Sequence, residues 1–284
     1  MSMEDLSMLI FSDIDGTLFS QPQNKIPDSA DAAIQLARKN GHKVFICTGR
    51  GLAATSQYLN YDVDGFLFAL GSLLYIEGKR SFSEPMDEKT VELLLDKMSE
   101  LDYGYVLEGA AGVYCNDFGY ESNAKYFHAK GEKRTAILRE NGFYRLEQWD
   151  KRDRIYTMNI FGRYYGHVEK MEEFITDDLM ILPGYYDLFP FGTAEIASKK
   201  NTKATGIQKV VEHYGTTVEE TVAIGDNTND IDMVQYAHVG IAMGNAVDQL
   251  KEVADYVTTD IDEDGMWNAL KYVGAIEGDY EDYK

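Results

Sequence analysis

Basic residues are scarce in this chain of 284 residues: 27 Lys and Arg stand against 48 Asp and Glu, a formal charge of −21. Nucleic-acid binders and proteins of anionic membrane surfaces need a net positive face, so the deficit argues against both. Cysteine is scarcer still. Cys47 and Cys115 cannot build a disulfide framework, which points to a reducing compartment. Cys47 lies in the apolar run Val44–Cys47 and reads as a core residue, and nothing beside Cys115 suggests a metal site. No apolar run approaches the roughly 20 residues of a membrane helix. A secretory leader is not expected either, because Glu4 and Asp5 occupy the place of a basic leader and Met8–Phe11 is too short. The expectation is a cytoplasmic protein with no membrane or nucleic-acid partner. Its oligomeric state is not legible.

What is present suits a folded chain. The chain is 44% hydrophobic and long enough for one large domain or two ordinary ones. Residues 8–71 alternate short apolar strands (Met8–Ser12, Lys43–Cys47, Gly65–Leu70) with helices, one opened by Pro27-Asp28-Ser29 and one over Leu52–Leu59. That alternation predicts a parallel, doubly wound sheet. The middle reads differently. An amphipathic helix over Asp87–Leu101, strand candidates Tyr103–Leu107 and Ile155–Phe161, and helical stretches near Glu121–Asn141 and His167–Ile175 suggest an α+β insertion. From about Lys199 the first pattern returns, with a helix over Lys203–Tyr214 and strands Thr221–Ile224, Val239–Met243 and Tyr256–Thr258.

Four short motifs stand at predicted strand ends or helix starts. Asp13-Ile14-Asp15-Gly16-Thr17-Leu18 follows the first strand, where ligands bind in doubly wound folds. A carboxylate there can act as a nucleophile, and a second carboxylate two residues on can protonate a leaving group. Thr48-Gly49-Arg50 offers a hydroxyl and free N–H groups for an anion. Lys203 opens the helix after the insertion. Gly225-Asp226-Asn227-Thr228-Asn229-Asp230 offers hard carboxylate oxygens that with Asp13 could hold Mg²⁺. Singly, each motif also reads as an ordinary turn, cap or surface lysine.

Together they resemble the four motifs of the haloacid dehalogenase superfamily. Asp232-Met233, Ala242-Met243-Gly244-Asn245-Ala246, Ala254–Thr258, Glu263-Asp264-Gly265 and Glu195-Ile196 resemble its Cof-type branch of phosphatases. The resemblance implies a Mg²⁺-dependent phosphomonoester hydrolase acting on a small phosphorylated metabolite. Asp13 would be the nucleophile and a metal ligand. Asp15 would be the general acid/base and lend its backbone carbonyl to the metal, with Asp226 as the remaining ligand. Thr48, Gly49, Arg50, Lys203 and Asn229 would meet the substrate, and Asp230 would orient Lys203 or a metal-bound water.

Spacing places the insertion. Thirty-two residues separate Asp15 from Thr48, too few for a domain, whereas 152 separate Arg50 from Lys203. The expected division is a catalytic core over residues 1–82 and 191–284, with an α/β cap of the family's class II over 83–190. Two positions depart from the branch: Leu70-Gly71 replaces the usual Asn-Gly, and Ala204 replaces a Gly. In the cap, Tyr185, Tyr186, Phe189, Phe191, His128 and Arg163 are candidate substrate contacts, more often core or surface residues. Residues 125–154, with nine Lys/Arg against five Asp/Glu, could attract anions, a solvated face being the plainer reading. A phosphotransferase, a receiver-like phosphoacceptor and a weakly active regulatory relative remain as alternatives.

Overall fold

Residues 7–184 and 189–284 are described by the computed structural model; Glu4, Asp5, Tyr185 and Tyr186 lie outside them. The chain divides into two compact units. Met1–Gly49, Asp62–Phe82 and Thr202–Lys284 form the first, and Arg50–Tyr61 with Ser83–Asn201 the second.

Apolar runs that end in polar turns make the first unit's sheet. Strands are numbered along the chain: β1 (Leu9–Ser12), β2 (Lys43–Cys47), β3 (Gly65–Phe68), β4 (Leu73–Ile76), β5 (Lys79–Ser83), β12 (Thr221–Gly225), β13 (Val239–Ala242) and β14 (Tyr256–Val257). Their order is β14-β13-β12-β1-β2-β3-β4-β5. The six strands from β14 to β3 are parallel, the doubly wound core that the sequence predicts, and β4 joins antiparallel to β3. The central strands are apolar throughout because both faces are covered. Phe11, Phe45, Phe68 and Ile10 are fully buried, each contributing about 1.5–3 kcal/mol by leaving water. Helix α1 (Asp28–Lys39) buries Ala30, Ala33, Ile34 and Ala37 on one face, with Asp28 and Asp31 at its positive end and Arg38 and Lys39 at its negative end.

One local expectation fails for a backbone reason. Strand β3 stops at Phe68 rather than Leu70, because Ala69, Leu70 and Gly71 take left-handed φ values of 48°, 54° and 82°. Asparagine tolerates that region; a leucine there costs about 1–2 kcal/mol, offset here by full burial and by its N–H bond to the Thr48 carbonyl at 3.2 Å. Strands β4 and β5 are joined by Glu77-Gly78, both with positive φ, the two-residue turn that right-twisted strands favour.

The second unit is a mixed six-stranded sheet in the order β10-β11-β9-β6-β7-β8. Its strands are β6 (Gly104–Gly109), β7 (Val113–Cys115), β8 (Phe143–Arg145), β9 (Ile155–Phe161), β10 (Leu179–Gly184) and β11 (Thr193–Ser198). Helix α2 (Glu88–Glu100) lays Val91, Leu94 and Met98 on the face made by Tyr105, Leu107, Met158, Ile160 and Ile196. Helices α3 (Asp117–Tyr126) and α4 (Arg134–Glu140) cover the other face, which carries Val106, Val113, Cys115, Phe143 and Phe161. The single helical stretch expected over Glu121–Asn141 is therefore two helices, parted where His128 and Gly131 turn left-handed. Leu52–Leu59 forms a 3₁₀ turn over Ala53–Tyr58 instead of an α-helix. Residues 191–201, expected in the core, belong to this unit because β11 pairs with β9 and β10; residues 50–61 likewise fall here.

Candidate active site

Strand β1 is the point where the sheet's order reverses, with β2 on one side and β12 on the other. Asp13 comes directly after β1 and donates its N–H to the Ile224 carbonyl at 3.0 Å. Asp226 comes directly after β12. Two carboxylates thus meet at the carboxyl ends of neighbouring parallel strands.

The turn after Asp13 is shaped by close approach. Gly16 has φ +88°, and a Cβ there would lie 2.3 Å from the Asp226 carboxylate, so no side chain fits. Leu18 and Phe19 both donate N–H to the Ile14 carbonyl, at 3.0 and 2.7 Å, and Asp15 bridges to Phe19. Thr17 Oγ1 donates to Asp226 Oδ1 at 2.7 Å. Asn245 Nδ2 donates to the Gly16 carbonyl at 2.7 Å while its Oδ1 accepts from the Ile261 N–H at 3.0 Å. Thr17 and Asn245 both lie within the sequence motifs, and the fold shows what they hold.

Lys203 begins α5 (Lys203–Tyr214), whose first turn is capped reciprocally by Thr202 and Thr205. Its side chain is fully buried, with Nζ 2.6 Å from Asp13 Oδ1 and 2.5 Å from Asp230 Oδ1. Asp230 Oδ2 accepts the N–H groups of Asp226 and Asn227 at 2.9 and 3.0 Å. Asp230 therefore bonds both the ammonium and the loop that carries Asp226. Ala204, the departure from glycine, donates its N–H to Asp232 Oδ2 at 3.1 Å, a bond that needs no glycine.

Burial and mutual repulsion dominate the electrostatics. The Asp13 carboxyl is pushed up to about 7, first by burial, with Asp230 and Asp15 adding to the rise and Lys203 opposing it. Asp226 is pushed up to about 8 by burial, by Asp13 and by Asp230. Lys203 is held well above its ordinary value by the two carboxylates, against the cost of burying it. Carboxylate oxygens of Asp13, Asp226 and Asp230 lie within 4.8 Å of one another. Once ionised, three carboxylates against one ammonium would carry two negative charges in surplus, in a set of hard oxygen donors, and a cation there would favour that ionised form. That donor set fits a divalent cation such as Mg²⁺ or Ca²⁺.

The other sequence-predicted residues divide. Thr48 is buried at the end of β2, its N–H bonded to the Leu67 carbonyl at 2.8 Å, and Gly49 follows it. Asn229 is half-buried in the turn Thr228–Asp230. Arg50 falls in the second unit, facing Glu108, a buried carboxyl that accepts the Gly51 N–H at 3.0 Å. Of the cap candidates, Phe189 packs on Phe161 with ring centres 4.9 Å apart, while Phe191 meets the exposed Tyr165. Arg163 pairs with Asp102 and lies over the Phe118 ring; His128 holds a left-handed turn. Arg134, Arg145, Lys151, Arg152 and Arg154, all in the basic stretch 125–154, are paired with Glu121, Asp117, Glu92, Asp150 and Glu88. Its charge is thus largely taken up locally, as a solvated face would be.

Among known proteins, YkrA of Bacillus subtilis (strain 168) is 29% identical to this chain, over 95% of it and 99% of the relative. The 5-amino-6-(5-phospho-D-ribitylamino)uracil phosphatase YitU of the same organism is 26% identical over 95% of this chain and 98% of its own. The structure of BT4131, a sugar phosphatase of HAD subclass IIB, superposes with a TM-score of 0.76 at 26% identity, covering 95% of this chain and 100% of that one. Among the described residues no helix is long and apolar enough to cross a membrane. Residues 10–270 match the family described as haloacid dehalogenase-like hydrolase. With the acidic site at the switch point of its sheet, the chain belongs to the haloacid dehalogenase-like hydrolases, in their Cof-type phosphatase branch.

Proposed function

We propose that this protein is a Mg²⁺-dependent phosphomonoester hydrolase that acts on small phosphorylated metabolites through a phosphoryl-aspartate on Asp13. The observation that carries this reading is Lys203, fully buried and bonded to Asp13 and Asp230, beside the third carboxylate, Asp226. Names of relatives support it, YitU being a phosphatase of a ribitylamino-uracil phosphate and BT4131 a sugar phosphatase.

Asp13, Asp226 and the backbone carbonyl of Asp15 would hold the cation, which when bound neutralises the carboxylates and the phosphate they must meet. Asp13 Oδ attacks phosphorus, and the bond to the leaving oxygen breaks. Asp15 gives that oxygen its proton, leaving as the alcohol. In the second half Asp15 takes a proton from water, whose oxygen attacks phosphorus and releases inorganic phosphate and free Asp13. Thr48, Gly49 and Asn229 hold phosphoryl oxygens, Arg50 meets the substrate, and Lys203 compensates charge on the group in transfer. Residues 83–190 would serve as the cap.

Hydrolysis of p-nitrophenyl phosphate by wild type and by Asp13→Asn tests this. Removal of the nucleophile should lower turnover by at least about 10³-fold. Wild-type rates in Asp13→Asn would remove the reading. Assaying phosphate release against transfer to a sugar hydroxyl separates a hydrolase from a phosphotransferase.

A further inference from the structure

The turn that carries Asp15 runs on through Gly16, a residue type whose backbone is unusually free to rotate. Gly16 sits at φ +88° and is held from both sides. Its N–H donates to the Phe19 carbonyl at 3.1 Å, and its carbonyl accepts Asn245 Nδ2 at 2.7 Å. Asn245 belongs to the same unit, in the loop that follows β13. That loop is itself fixed along its length. Gly244 donates its N–H to the Thr259 carbonyl, Ala246 to that of Met243 and Val247 to that of Asp226, each at 2.9 Å. One loop thus ties the turn after β1 to the turn after β12.

The chemistry at position 245 is specific. Its side chain must accept the Ile261 N–H, 3.0 Å from Oδ1, and at the same time donate to the Gly16 carbonyl. A side-chain amide does both, and these two partners fix which end faces which. A carboxylate of the same shape would keep Ile261 but set an acceptor against the Gly16 carbonyl. Alanine would meet neither. Asn245 is exposed to solvent, so global stability depends little on its two bonds. What they restrict is local: the Gly16 peptide, with Asp15 before it and Thr17, bonded to Asp226, after it.

We propose that Asn245 is a positioning residue for Asp15, locking the Gly16 peptide so that the Asp15 carboxyl is aimed at the leaving oxygen. The proposal rests on the phosphatase reading, in which Asp15 gives its proton to that oxygen as the bond to phosphorus breaks. A misaimed acid slows a reaction in proportion to its need for that proton. Phenoxide, a basic leaving group, needs it. The p-nitrophenoxide ion leaves readily by itself and needs it much less. Were Asn245 to serve only Thr17 and Asp226, its loss would disturb groups that both esters use alike, and both would slow together.

Phenyl phosphate and p-nitrophenyl phosphate differ in the basicity of the group that leaves, and kcat/KM covers only the steps through its departure. The ratio of their kcat/KM values on the full chain with Mg²⁺ therefore tests the proposal. Asn245→Ala and Asn245→Asp should each slow phenyl phosphate at least about fivefold more than p-nitrophenyl phosphate. Asp15→Asn should show the same bias, enlarged to about tenfold or more. Thermal midpoints close to that of wild type show which variants are folded. Should Asn245→Ala not fold, Asn245→Asp, which keeps the bond to Ile261, decides. An equal fall for both esters, or unchanged rates, in the folded variant would overturn the proposal, as would an unmoved ratio in Asp15→Asn. Failure of wild type to hydrolyse either ester would instead strike the phosphatase reading, and this inference with it.

Discussion

Both units bury carboxyl groups, and they do so in opposite ways. In the first, Asp13, Asp226 and Asp230 crowd around one ammonium, so repulsion adds to the cost of burial. In the second, Glu108 is buried with a backbone N–H for its partner and is pushed up to about 7 chiefly by the loss of water. Crowded carboxylates make a surplus of charge that a cation can cancel. One set apart from other carboxylates, with Arg50 opposing the rise, makes a group that is half protonated near neutrality.

The largest test of that contrast is Lys203→Met. It strips two buried carboxylates of their partner, and breaking such a buried pair costs about 3–5 kcal/mol. A drop in the urea midpoint of that order, together with lost turnover, is expected; an unchanged midpoint would show that Lys203 does not hold the cluster together. Glu108→Gln probes the other unit. With its folded pKa above the unfolded value of about 4.5, Glu108 binds its proton more tightly in the native state. Its contribution is therefore intact below pH 4.5 and is lost as pH rises toward 7, by about 3 kcal/mol at most. Glu108→Gln should be more stable than wild type at pH 8 and lose that advantage at pH 4.5, measured as thermal midpoints. A gap that does not vary with pH would refute the assignment.

A cation should distinguish the two sites by itself. Mg²⁺ at 100 times its Kd should add about 2.7 kcal/mol of stability, seen as a rise in thermal midpoint that Asp226→Asn abolishes and Glu108→Gln retains. A rise that survives Asp226→Asn would place the ion elsewhere. Smallest is Thr17→Val, which removes one hydrogen bond from Asp226 and should cost about 0.5–1.5 kcal/mol in urea unfolding.

How far the sequence could be read follows the same division. Parallel buried strands are continuous apolar runs, and the turns after them carry the chemistry, so Asp13, Asp226 and Asp230 could be placed at strand ends, though only the four motifs together, Lys203 among them, set them apart from ordinary turns. The place of Glu108 gives no such signal. Glu108 and Gly51 lie far apart in the chain, and only the fold makes them neighbours. A lone Glu near the end of an apolar strand, as in Val106-Leu107-Glu108-Gly109, was the hint available. Boundaries failed where backbone conformation overrode pattern, at Ala69–Gly71 and at His128, because hydropathy is blind to the sign of φ.

The left-handed run at 69–71 also sets a mechanical tolerance. A Cβ on Gly71 would sit 2.4 Å from the Thr202 carbonyl and 3.2 Å from the Gly206 backbone, and one on Gly206 would sit 3.2 Å from Gly71 Cα. Here the first turn of α5 rests main chain against main chain. A methyl group at either position would act as a shim, tilting the helix that carries Lys203 while leaving every charged group chemically intact. The reach of the ammonium toward Asp13 is thus gauged by two side chains that are not there.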